Sequence, residues 1–303
     1  MKIYINREPV TGPWGGGNKI ISKLENKLLN LGHEVVYRLF DEDIDVIYCQ
    51  DPRPNQHGEW YQHFLNHRTL FKSKIIQRVG DVGTHGKPEL FDLVKKTSNI
   101  SDFLIFPSEW SKQKIEFSKD NCEIIYNAPL KEFYKYRNND SQSYNIITHH
   151  WSTNPKKGFH FYKLLDQYVG ANNKYSFTYI GRLPNNIGFT NTRYIEATGD
   201  NDKIAKILSE NSVYFTASEE EAGANHVLEG LAAGLPVVYH KNGGSVDNYC
   251  NKYGLSFDNP ADMIASIEAM CENYDFYKNK VLQYDDTIDK VVDKYADIIC
   301  NIK

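Results

Sequence analysis

The chain has 303 residues, which exceeds the roughly 100–200 residues of one typical domain and suits two. Hydrophobic residues make up 41% of it and charged residues 24%, a balance that supports packed cores and excludes intrinsic disorder. The formal net charge is only −4 and no run of basic residues forms a stripe, which excludes a nucleic-acid-binding protein.

The first half of the sequence alternates short apolar runs with amphipathic stretches. The apolar runs are rich in β-branched and aromatic residues and end in turn formers, a pattern that predicts strands. The predicted strands are Lys2–Ile5, His33–Leu39, Asp45–Gln50, Lys74–Val79, Asp102–Ser108 and Cys122–Asn127. Between the first two, apolar residues recur at helical spacing from Ile20 to Leu29, and Gly32 ends the predicted helix. Alternating strands and helices predict a parallel sheet covered on both faces.

The second half repeats this alternation after a polar linker at residues 137–145. The predicted strands are 145–151, 175–181, 212–218 and 235–240, and the predicted helices are 159–168, 203–209 and 227–233. The tail from Tyr284 to Ile302 carries an apolar stripe at helical spacing, so it must pack on another element. The sequence therefore predicts an α/β fold with two Rossmann-like lobes and parallel sheets. The lobes span 1–140 and 141–282, and a C-terminal helix at 283–303 packs back across the seam.

The cysteines and the apolar segments indicate the cellular compartment of the protein. The five cysteines lie far apart, and no pair has the C-x-x-C spacing of metal or redox sites, which favours a reducing compartment. The N-terminus lacks the apolar core of a signal peptide, and no segment reaches the ~20 apolar residues that cross a bilayer. We therefore expect a cytoplasmic protein. Basic residues among apolar ones at 64–76 leave two interpretations: a solvated helix face, which is favoured, or peripheral contact with the inner membrane surface.

A glycine-rich loop follows the first predicted strand. Gly15, Gly16 and Gly17 directly precede the predicted helix. Glycine lets the backbone approach a ligand closely, and a helix N-terminus presents unpaired N–H groups to an anion. The loop matches neither G-x-G-x-x-G nor the P-loop pattern. It is either a phosphate-binding loop or a simple strand-to-helix turn, and the pattern alone leaves both open.

Two glutamates follow a predicted strand in the second half. With a helix that starts near Asn225, Glu229 faces the mouth of the sheet from the second turn, and Glu221 lies in the preceding loop. Carboxylates at the carboxyl edge of a parallel sheet suit hydrogen bonds to sugar and ribose hydroxyls. The helix start between them suits a phosphate. The spacing alone also allows an ordinary solvated pair of acids.

The sequence around these glutamates resembles a known signature. Glu-Ala-x-x-Asn-x-Val-x-Glu-x-Leu-Ala-x-Gly-Leu-Pro-Val-Val, followed by a Gly-Gly pair and Asp247, is similar to the signature of retaining GT-B glycosyltransferases of the family 4 type. The segments Phe106–Ile115, Ile124–Pro129 and Asn154–Phe161 fall in the same order as further segments of that family. The resemblance covers nearly the whole chain and is strongest over residues 213–256.

This resemblance implies an enzyme that needs no metal. It would move a sugar, with retention of configuration, from UDP or GDP to a glycan or lipid-linked acceptor in polysaccharide biosynthesis. The implied catalytic residues are Glu221, which would face the donor sugar, Lys157, which would neutralise the pyrophosphate, and His85, which would approach the transferred sugar.

The resemblance also implies a set of donor-binding residues. These are Gly15, Gly16, Ser152, Lys157, Arg182, Gly223, Ala224, Asn225, His226, Val227 and Glu229. Glu229 would hold the ribose hydroxyls, the backbone from Gly223 to Asn225 would meet the sugar, and Gly15 and Gly16 would close over the phosphate.

One position departs from the family pattern. Ser152 stands where the family usually has an arginine, five residues before Lys157. The second positive charge could come from Arg182, at the end of the next predicted strand, or from His149 or His150. Adjacent residues alternate along a strand, so one of these histidines is expected to be buried and the other exposed. Without a third spaced ligand they make no metal site.

Two aspartates, Asp51 and Asp81, follow predicted strand ends. An aspartate in this position either contacts an acceptor or caps the next helix, and capping is the favoured interpretation.

Other functions stay open beside sugar transfer. A nucleotide-sugar epimerase shares the two-lobed architecture, and activity without any acceptor would identify it. A non-catalytic sugar-nucleotide or glycan-binding module would keep the pocket, and the missing arginine at Ser152 favours it. An NAD-dependent dehydrogenase is disfavoured because no G-x-G-x-x-G follows the first strand.

Overall fold

The structure is a computed structural model that describes residues 1–10, 16–137 and 144–302. The chain divides into two compact units, which we call unit 1 (Met1–Asn127 and Ile288–Lys303) and unit 2 (Ala128–Thr287). The predicted boundaries at 140 and 283 differ from this division. The reason is that the segment after residue 127 packs with unit 2, where Phe133 is fully buried in one apolar cluster with Tyr214.

Unit 1 is built on one parallel sheet. Its strands are β1 (Lys2–Ile5), β2 (Glu34–Val36), β3 (Val46–Cys49), β4 (Lys74–Arg78), β5 (Phe103–Phe106) and β6 (Cys122–Ile124), in the order β2-β1-β3-β4-β5-β6. Its first four helices are α1 (Gly16–Asn30), α2 (Tyr61–Phe71), α3 (Pro88–Ile100) and α4 (Glu109–Lys114). Ile3, Tyr4 and Ile5 are successive and fully buried. Since successive side chains of a strand point to opposite faces, both faces of this sheet are covered.

Unit 2 repeats the arrangement. Its strands are β7 (Asn145–His150), β8 (Ser176–Gly181), β9 (Arg193–Glu196), β10 (Val213–Thr216), β11 (Val237–His240) and β12 (Gly254–Phe257), all parallel, in the order β12-β11-β10-β7-β8-β9. Its helices are α5 (Phe159–Ala171), α6 (Asn201–Ser209), α7 (Asn225–Ala232), α8 (Ser245–Cys250), α9 (Pro260–Glu272) and α10 (Tyr274–Val281). The strand order reverses at β7, which lies between β8 and β10. Such a reversal opens a crevice at the carboxyl ends of the two strands, where ligands of open α/β sheets bind.

The last helix, α11 (Ile288–Asn301), belongs to unit 1. Its apolar stripe is buried, as the sequence predicted, and Tyr295 is fully buried near the ring of Tyr48. Along α1, Lys27 Nζ lies 2.7 Å from Asp293 Oδ1. The predicted return of the C-terminal helix is therefore confirmed, and its cause is the apolar stripe.

The predicted strands all form, although β2 is shorter than the predicted run. Two strands of unit 2 were missed. β9 carries Arg193 and Glu196 on an exposed edge, so no apolar run marks it. β12 begins at Gly254, a residue with low strand propensity.

The segment 64–76, weighed above as a membrane contact, is divided between α2 and β4. Phe64, Ile75 and Ile76 are fully buried, while Leu70 is exposed. The buried residues cannot face a lipid surface. Within the described ranges, none of the helices combines the length and the apolar character that crossing a membrane requires.

Close approach of β12 to β11 generates a stability prediction. A Cβ on Gly254 would lie 1.8 Å from the carbonyl oxygen of Val237, whereas a Cβ on Gly188, in the same unit, would meet nothing within 4 Å. Gly254→Ala should therefore lower the free energy of unfolding by about 2–3 kcal/mol, because the strands must move apart. Gly188→Ala should change it by less than about 0.5 kcal/mol. Urea unfolding of both variants measures this, and equal effects would contradict the described strand spacing.

Candidate functional site

The candidate site lies in unit 2 at the carboxyl ends of β7 and β10. β10 pairs with β7 in parallel, with Tyr214 opposite Ile147. The chain after β7 turns toward Lys157, and the chain after β10 leads through Glu221 into α7. The sheet reversal therefore brings together residues that lie more than 60 positions apart in the sequence.

A short 3₁₀ turn, Pro155–Lys157, holds Lys157 in place. The Asn154 side chain caps this turn by accepting from the Lys156 N–H at 2.9 Å. Gly158 ends it with φ 75°, and a Cβ there would lie 2.3 Å from the carbonyl oxygen of Ala217. Only glycine fits this left-handed position so close to another backbone. Lys157 is thereby buried against the loop that follows β10.

Lys157 forms an ion pair with Glu221. Its Nζ contacts Glu221 Oε1, and the two side chains are 8% and 13% exposed. A buried charge is tolerated only when it is paired and hydrogen-bonded. The pair thus satisfies both charges.

Backbone hydrogen bonds fix the loop that carries Glu221. The Glu220 N–H donates to Asn242 O at 2.8 Å, and the Ser245 N–H donates to Glu221 O at 2.8 Å. Glu220 adopts φ 51°, a left-handed conformation that costs a non-glycine residue about 1–2 kcal/mol. Such strain persists where the surrounding bonds determine the conformation, and it is common at functional sites.

A second ion pair runs beside the first. Lys156 Nζ lies 2.6 Å from Glu220 Oε2, and these side chains are 37% and 31% exposed. The two adjacent pairs have the same chemistry but different access to solvent.

Glu229 lies in the second turn of α7, as the sequence predicted. Its side chain is 11% exposed, and its Oε2 lies 2.7 Å from Nε2 of His149, at the end of β7. α7 can approach β10 closely because residue 230 is glycine, where a Cβ would lie 2.5 Å from the Tyr214 ring.

Three buried rings connect the surroundings of the two glutamates, and we call them the His149–Tyr214–His226 chain. The Tyr214 hydroxyl lies 3.1 Å from His149 Nδ1, 3.1 Å from the His149 carbonyl oxygen and 3.0 Å from His226 Nδ1. At its other end, His226 Nε2 lies 3.7 Å from Glu221 Oε1. The chain runs from the Glu229 carboxylate to the Glu221 carboxylate.

Burial keeps His226, Tyr214 and His150 neutral. Burial lowers the pKa of His226 to about 4, and the positive charge of Lys157 acts in the same direction. Burial raises the pKa of the Tyr214 hydroxyl well above its usual range. Burial also lowers the pKa of His150 far below its usual range, again with help from Lys157. His150 therefore carries no positive charge at neutral pH and does not replace the missing arginine.

The expectation that one of His149 and His150 is exposed is wrong. Both are 3% exposed, because β7 is an interior strand of a sheet covered on both faces. His150 donates from Nδ1 to Ser152 O at 3.1 Å, and its Nε2 meets the Tyr179 hydroxyl at 3.2 Å.

A small open pocket lies beside His149, between the ends of β7 and β8 and the chain after β9. It is lined by His149, His150, Trp151, Ile180, Gly181, Ala197, Thr198 and Ile204. Its walls are mainly apolar, and His149 connects it to Glu229.

The other predicted donor-binding residues of unit 2 occupy the rim of this site. Ser152 Oγ accepts from the Asn154 N–H at 3.1 Å, so it serves the local turn. Arg182 is exposed after β8, and its carbonyl oxygen accepts from Tyr179. Both lie near the carboxyl edge of the sheet.

The loop before α7 supplies the remaining members of that set. Gly223 and Asn225 are half-buried and flank the start of α7, whereas the Val227 side chain is fully buried in the core. The Ala224 N–H donates to Ser245 Oγ at 3.2 Å. Val227 can therefore contribute only through its backbone.

Gly15 lies outside the described residues. Gly16 is the first residue of α1, and His85 is half-buried in the turn before α3. Both belong to unit 1.

The two strand-end aspartates of unit 1 are held locally. Asp51 accepts hydrogen bonds from Arg53, and Asp81 accepts from the Gly83 N–H and from Lys87 Nζ. Burial acts to raise the pKa of Asp51, but the hydrogen bonds from Arg53 outweigh it and the pKa is lowered. Asp51 therefore stays ionised.

Sequence reasoning missed the side-chain roles of Tyr214 and His226 and the bond from His149 to Glu229. Tyr214 reads as an ordinary core residue within the apolar run of β10. Only the parallel register of β7 and β10 reveals the contacts, and this register is not visible in a single sequence.

No protein-family model and no curated protein matches the sequence. Solved structures match it along nearly its whole length. A glycosyltransferase from Rickettsia africae is 13% identical, with a TM-score of 0.71, over 99% of this chain and 98% of that chain. HepE from Anabaena, in complex with UDP and glucose, is 11% identical, with a TM-score of 0.68, over 99% of both chains. WaaG, a glycosyltransferase involved in lipopolysaccharide biosynthesis, is 13% identical, with a TM-score of 0.65, over 99% of this chain and 100% of that chain. These likenesses establish the fold, which is the GT-B arrangement of two Rossmann-like lobes.

The two adjacent ion pairs generate a prediction about stability. Lys157→Met should lower the free energy of unfolding by about 3–5 kcal/mol, because it leaves a buried carboxylate without its cation. Adding Glu221→Gln should restore much of that loss. Urea unfolding of the single and double variants measures the coupling.

Lys156→Met and Glu220→Gln provide the matched control. Because these side chains are about a third exposed, each substitution should cost less than about 1 kcal/mol. Equal coupling free energies in the two double-mutant cycles, one for each ion pair, would show that burial does not set the strength of the Lys157–Glu221 pair.

The pKa of His226 generates a prediction about pH. An unfolded histidine titrates near pH ~6.5, whereas the folded value is about 4. Between these values the unfolded state binds a proton that the folded state does not. The free energy of unfolding should therefore fall as the pH drops from about 6.5 to about 4, by up to about 3 kcal/mol from this residue.

His226→Asn should make that pH dependence less steep, and His150 should account for part of what remains. Replacement of the exposed His160 by asparagine is the control and should leave the slope nearly unchanged. Chemical denaturation at a series of pH values measures the slopes. An unchanged slope in His226→Asn would contradict the neutral state of this ring.

Proposed function

We propose that this protein transfers a sugar from a nucleoside-diphosphate donor, bound at the site in unit 2, to a hydroxyl acceptor. The observation that carries the proposal is the meeting of Lys157, Glu221 and Glu229 at one sheet edge. A cation suits the pyrophosphate, and two carboxylates suit the hydroxyls of the ribose and the sugar. The similar solved structures support it, since they include glycosyltransferases and a complex with UDP and glucose.

Glu229 is proposed to bind the ribose. His149 holds Oε2 of this carboxylate at 2.7 Å and so fixes the orientation of the side chain at the sheet edge. The nucleobase would lie against the adjacent open pocket, because a base lies next to its ribose and its flat faces suit apolar walls. This arrangement fixes the nucleoside before any chemistry occurs.

Lys157 is proposed to change partners when the donor binds. In the structure its Nζ contacts Glu221, so an incoming pyrophosphate competes with this carboxylate for the cation. Once released, Glu221 can accept hydrogen bonds from sugar hydroxyls. Binding the donor would thereby prepare both the leaving group and the sugar position.

Charge stabilisation is the proposed source of catalysis. As the nucleoside diphosphate leaves, negative charge develops on its phosphate and positive charge on the sugar. Lys157 would stabilise this negative charge, and the exposed Arg182 would add a second cation. We propose retention, in which the acceptor hydroxyl attacks the face that the phosphate leaves and the phosphate takes its proton. His85 is proposed to approach the transferred sugar, as the family resemblance implies. The same resemblance is the reason to propose a glycan or a lipid-linked molecule as the acceptor.

The transfer is proposed to need no metal ion. The D-x-D triplets of the chain, a pattern by which other transferases hold a divalent ion, lie at residues 41–45 and 200–202. Carboxylates of the first triplets bind Lys2. Those of the second cap α6 and bind Lys135. In the described part of the chain, no group of three or more His, Cys, Asp and Glu residues could hold a metal ion.

A thermal-shift screen tests the proposal. UDP, GDP, ADP, CMP and their common sugar conjugates are added to the folded protein in the presence of EDTA. A ligand at a hundred times its dissociation constant stabilises the folded state by about 2.7 kcal/mol, so one nucleoside diphosphate and its conjugate should raise the midpoint clearly. No shift with any of them would overturn the proposal. Binding without turnover across an acceptor panel would favour the binding module instead.

Glu229→Gln provides a residue-level prediction. The variant should bind the selected nucleoside diphosphate about 10–100 times more weakly, because a charge-assisted hydrogen bond to ribose becomes a neutral one. It should also lose the preference of the wild type for the ribose form over the 2′-deoxy form. Calorimetric titration with both nucleotides measures this.

Glu220→Gln is the matched control, since this carboxylate is bound to Lys156 at the more exposed pair. It should keep the ribose preference. Loss of the preference in both variants, or in neither, would show that Glu229 does not contact the ribose.

A further inference from the structure

His226 carries an unsatisfied polar atom beside the proposed sugar position. Its side chain is 10% exposed, and its Nε2 is fully buried with no hydrogen-bond partner in the part of the chain that the structure describes. It lies 3.7 Å from Glu221 Oε1, which is too long for a hydrogen bond. Buried polar atoms nearly always have a partner, so this one indicates a ligand that the site is built to receive.

The contacts of the chain decide which nitrogen of each ring bears hydrogen. A carboxylate only accepts, so His149 Nε2, 2.7 Å from Glu229 Oε2, must donate. The single hydrogen of the Tyr214 hydroxyl points toward the carbonyl oxygen of His149, which only accepts and lies 3.1 Å away.

The same assignment of hydrogens determines the tautomer of His226. With its hydrogen directed to His149, the Tyr214 oxygen can only accept from His226 Nδ1 at 3.0 Å. The opposite assignment would leave the carbonyl oxygen of His149 facing an oxygen lone pair. Because His226 is neutral and its hydrogen is on Nδ1, its Nε2 carries a lone pair. That lone pair faces Glu221 and can accept a hydrogen bond from a ligand.

We propose that His226 is a specificity-determining residue whose Nε2 accepts a hydrogen bond from a free hydroxyl of the donor sugar, next to the carboxylate of Glu221. This inference rests on the proposed function for the identity of the ligand. Tyr214 and His149 act as positioning residues, because they hold the hydrogen of His226 on Nδ1. The pocket would select a sugar that keeps a hydroxyl at this position over its deoxy or O-methyl analogue.

A purely structural role would leave a different pattern. A phenylalanine ring would fill much the same volume with no polar atom to satisfy, and an imidazole with both nitrogens bonded would complete a closed network. In the observed chain His149 is bonded at both ring nitrogens and Tyr214 is fully bonded, and His226 is bonded at Nδ1 only. The network is complete except at the atom that faces the proposed sugar.

Two variants distinguish the contribution of Nδ1 of His226 from that of Nε2. In His226→Asn, the shorter side chain places its amide near Nδ1, so the bond to Tyr214 can persist while the acceptor at the Nε2 position is lost. In His226→Gln, the longer side chain can place an amide oxygen near Nε2 and restore that acceptor. Thermal unfolding of both variants verifies that each is folded.

The binding experiment compares a nucleoside diphosphate with its sugar conjugate, using UDP and UDP-glucose or the corresponding pair selected by the thermal screen. His226→Asn should weaken binding of the conjugate by about tenfold and leave binding of the nucleoside diphosphate nearly unchanged. His226→Gln should recover most of the loss. Equal weakening of both ligands in His226→Asn, or no recovery in His226→Gln, would overturn the proposal.

The state of the ring is tested without any ligand. In protein labelled with ¹⁵N-histidine, the His226 signals are assigned by their absence from His226→Asn. At neutral pH, Nε2 should show the shift of an unprotonated nitrogen and Nδ1 that of a protonated one, and Tyr214→Phe should disturb this preference. A protonated Nε2 would overturn the inference even if sugar transfer is demonstrated. If no sugar conjugate binds the wild type, it is the proposed function that fails, and the spectrum still decides the state of His226.

Discussion

The parallel pairing of β7 with β10 is the constraint on which the site depends. It places His149, near the end of β7, within reach of Tyr214 on β10. From the ends of these two strands the chain continues into the turn of Lys157 and the loop of Glu221. A shift of this register by one residue would point the histidine and the tyrosine to the wrong faces of the sheet. The ion pair and the ring chain are therefore consequences of one strand pairing.

Charge is nearly balanced within the site before any ligand arrives. Lys157 is held by Glu221, Lys156 by Glu220, and Glu229 by the imidazole of His149. In the proposed transfer, a pyrophosphate would bring negative charge to a place where both lysines are already paired. Its binding would then require Lys157 to exchange one partner for another. A lysine on its flexible stem suits this task better than a rigid guanidinium.

Much of the fold could be predicted because the buried strands of a parallel sheet read as short apolar runs. Lys2–Ile5 and Val237–His240 were recognisable for this reason, whereas the exposed edge strand Arg193–Glu196 carries no such signal. Glu221 and Glu229 were found through spacing and family resemblance, which survive in a linear sequence. The resemblance placed His226 among the donor-binding residues, but the hydrogen bonds of Tyr214 with His149 and His226 could not be found, because they depend on atoms from three elements that meet only after folding. The assumption that adjacent histidines differ in burial failed because both faces of the sheet are covered.

The placement of α11 has a consequence for the order in which the protein forms. Unit 1 is assembled from Met1–Asn127 and from Ile288 onward, with all of unit 2 between them in the sequence. During synthesis from the N-terminus, the first sheet therefore emerges long before the helix that completes it. Until then the surfaces that receive α11, near Tyr48 and along α1, stay uncovered, and transient apolar surface of this kind promotes aggregation. Unit 2 can fold as one continuous segment. Unit 1, which is synthesised first, is therefore completed only after unit 2 has been synthesised.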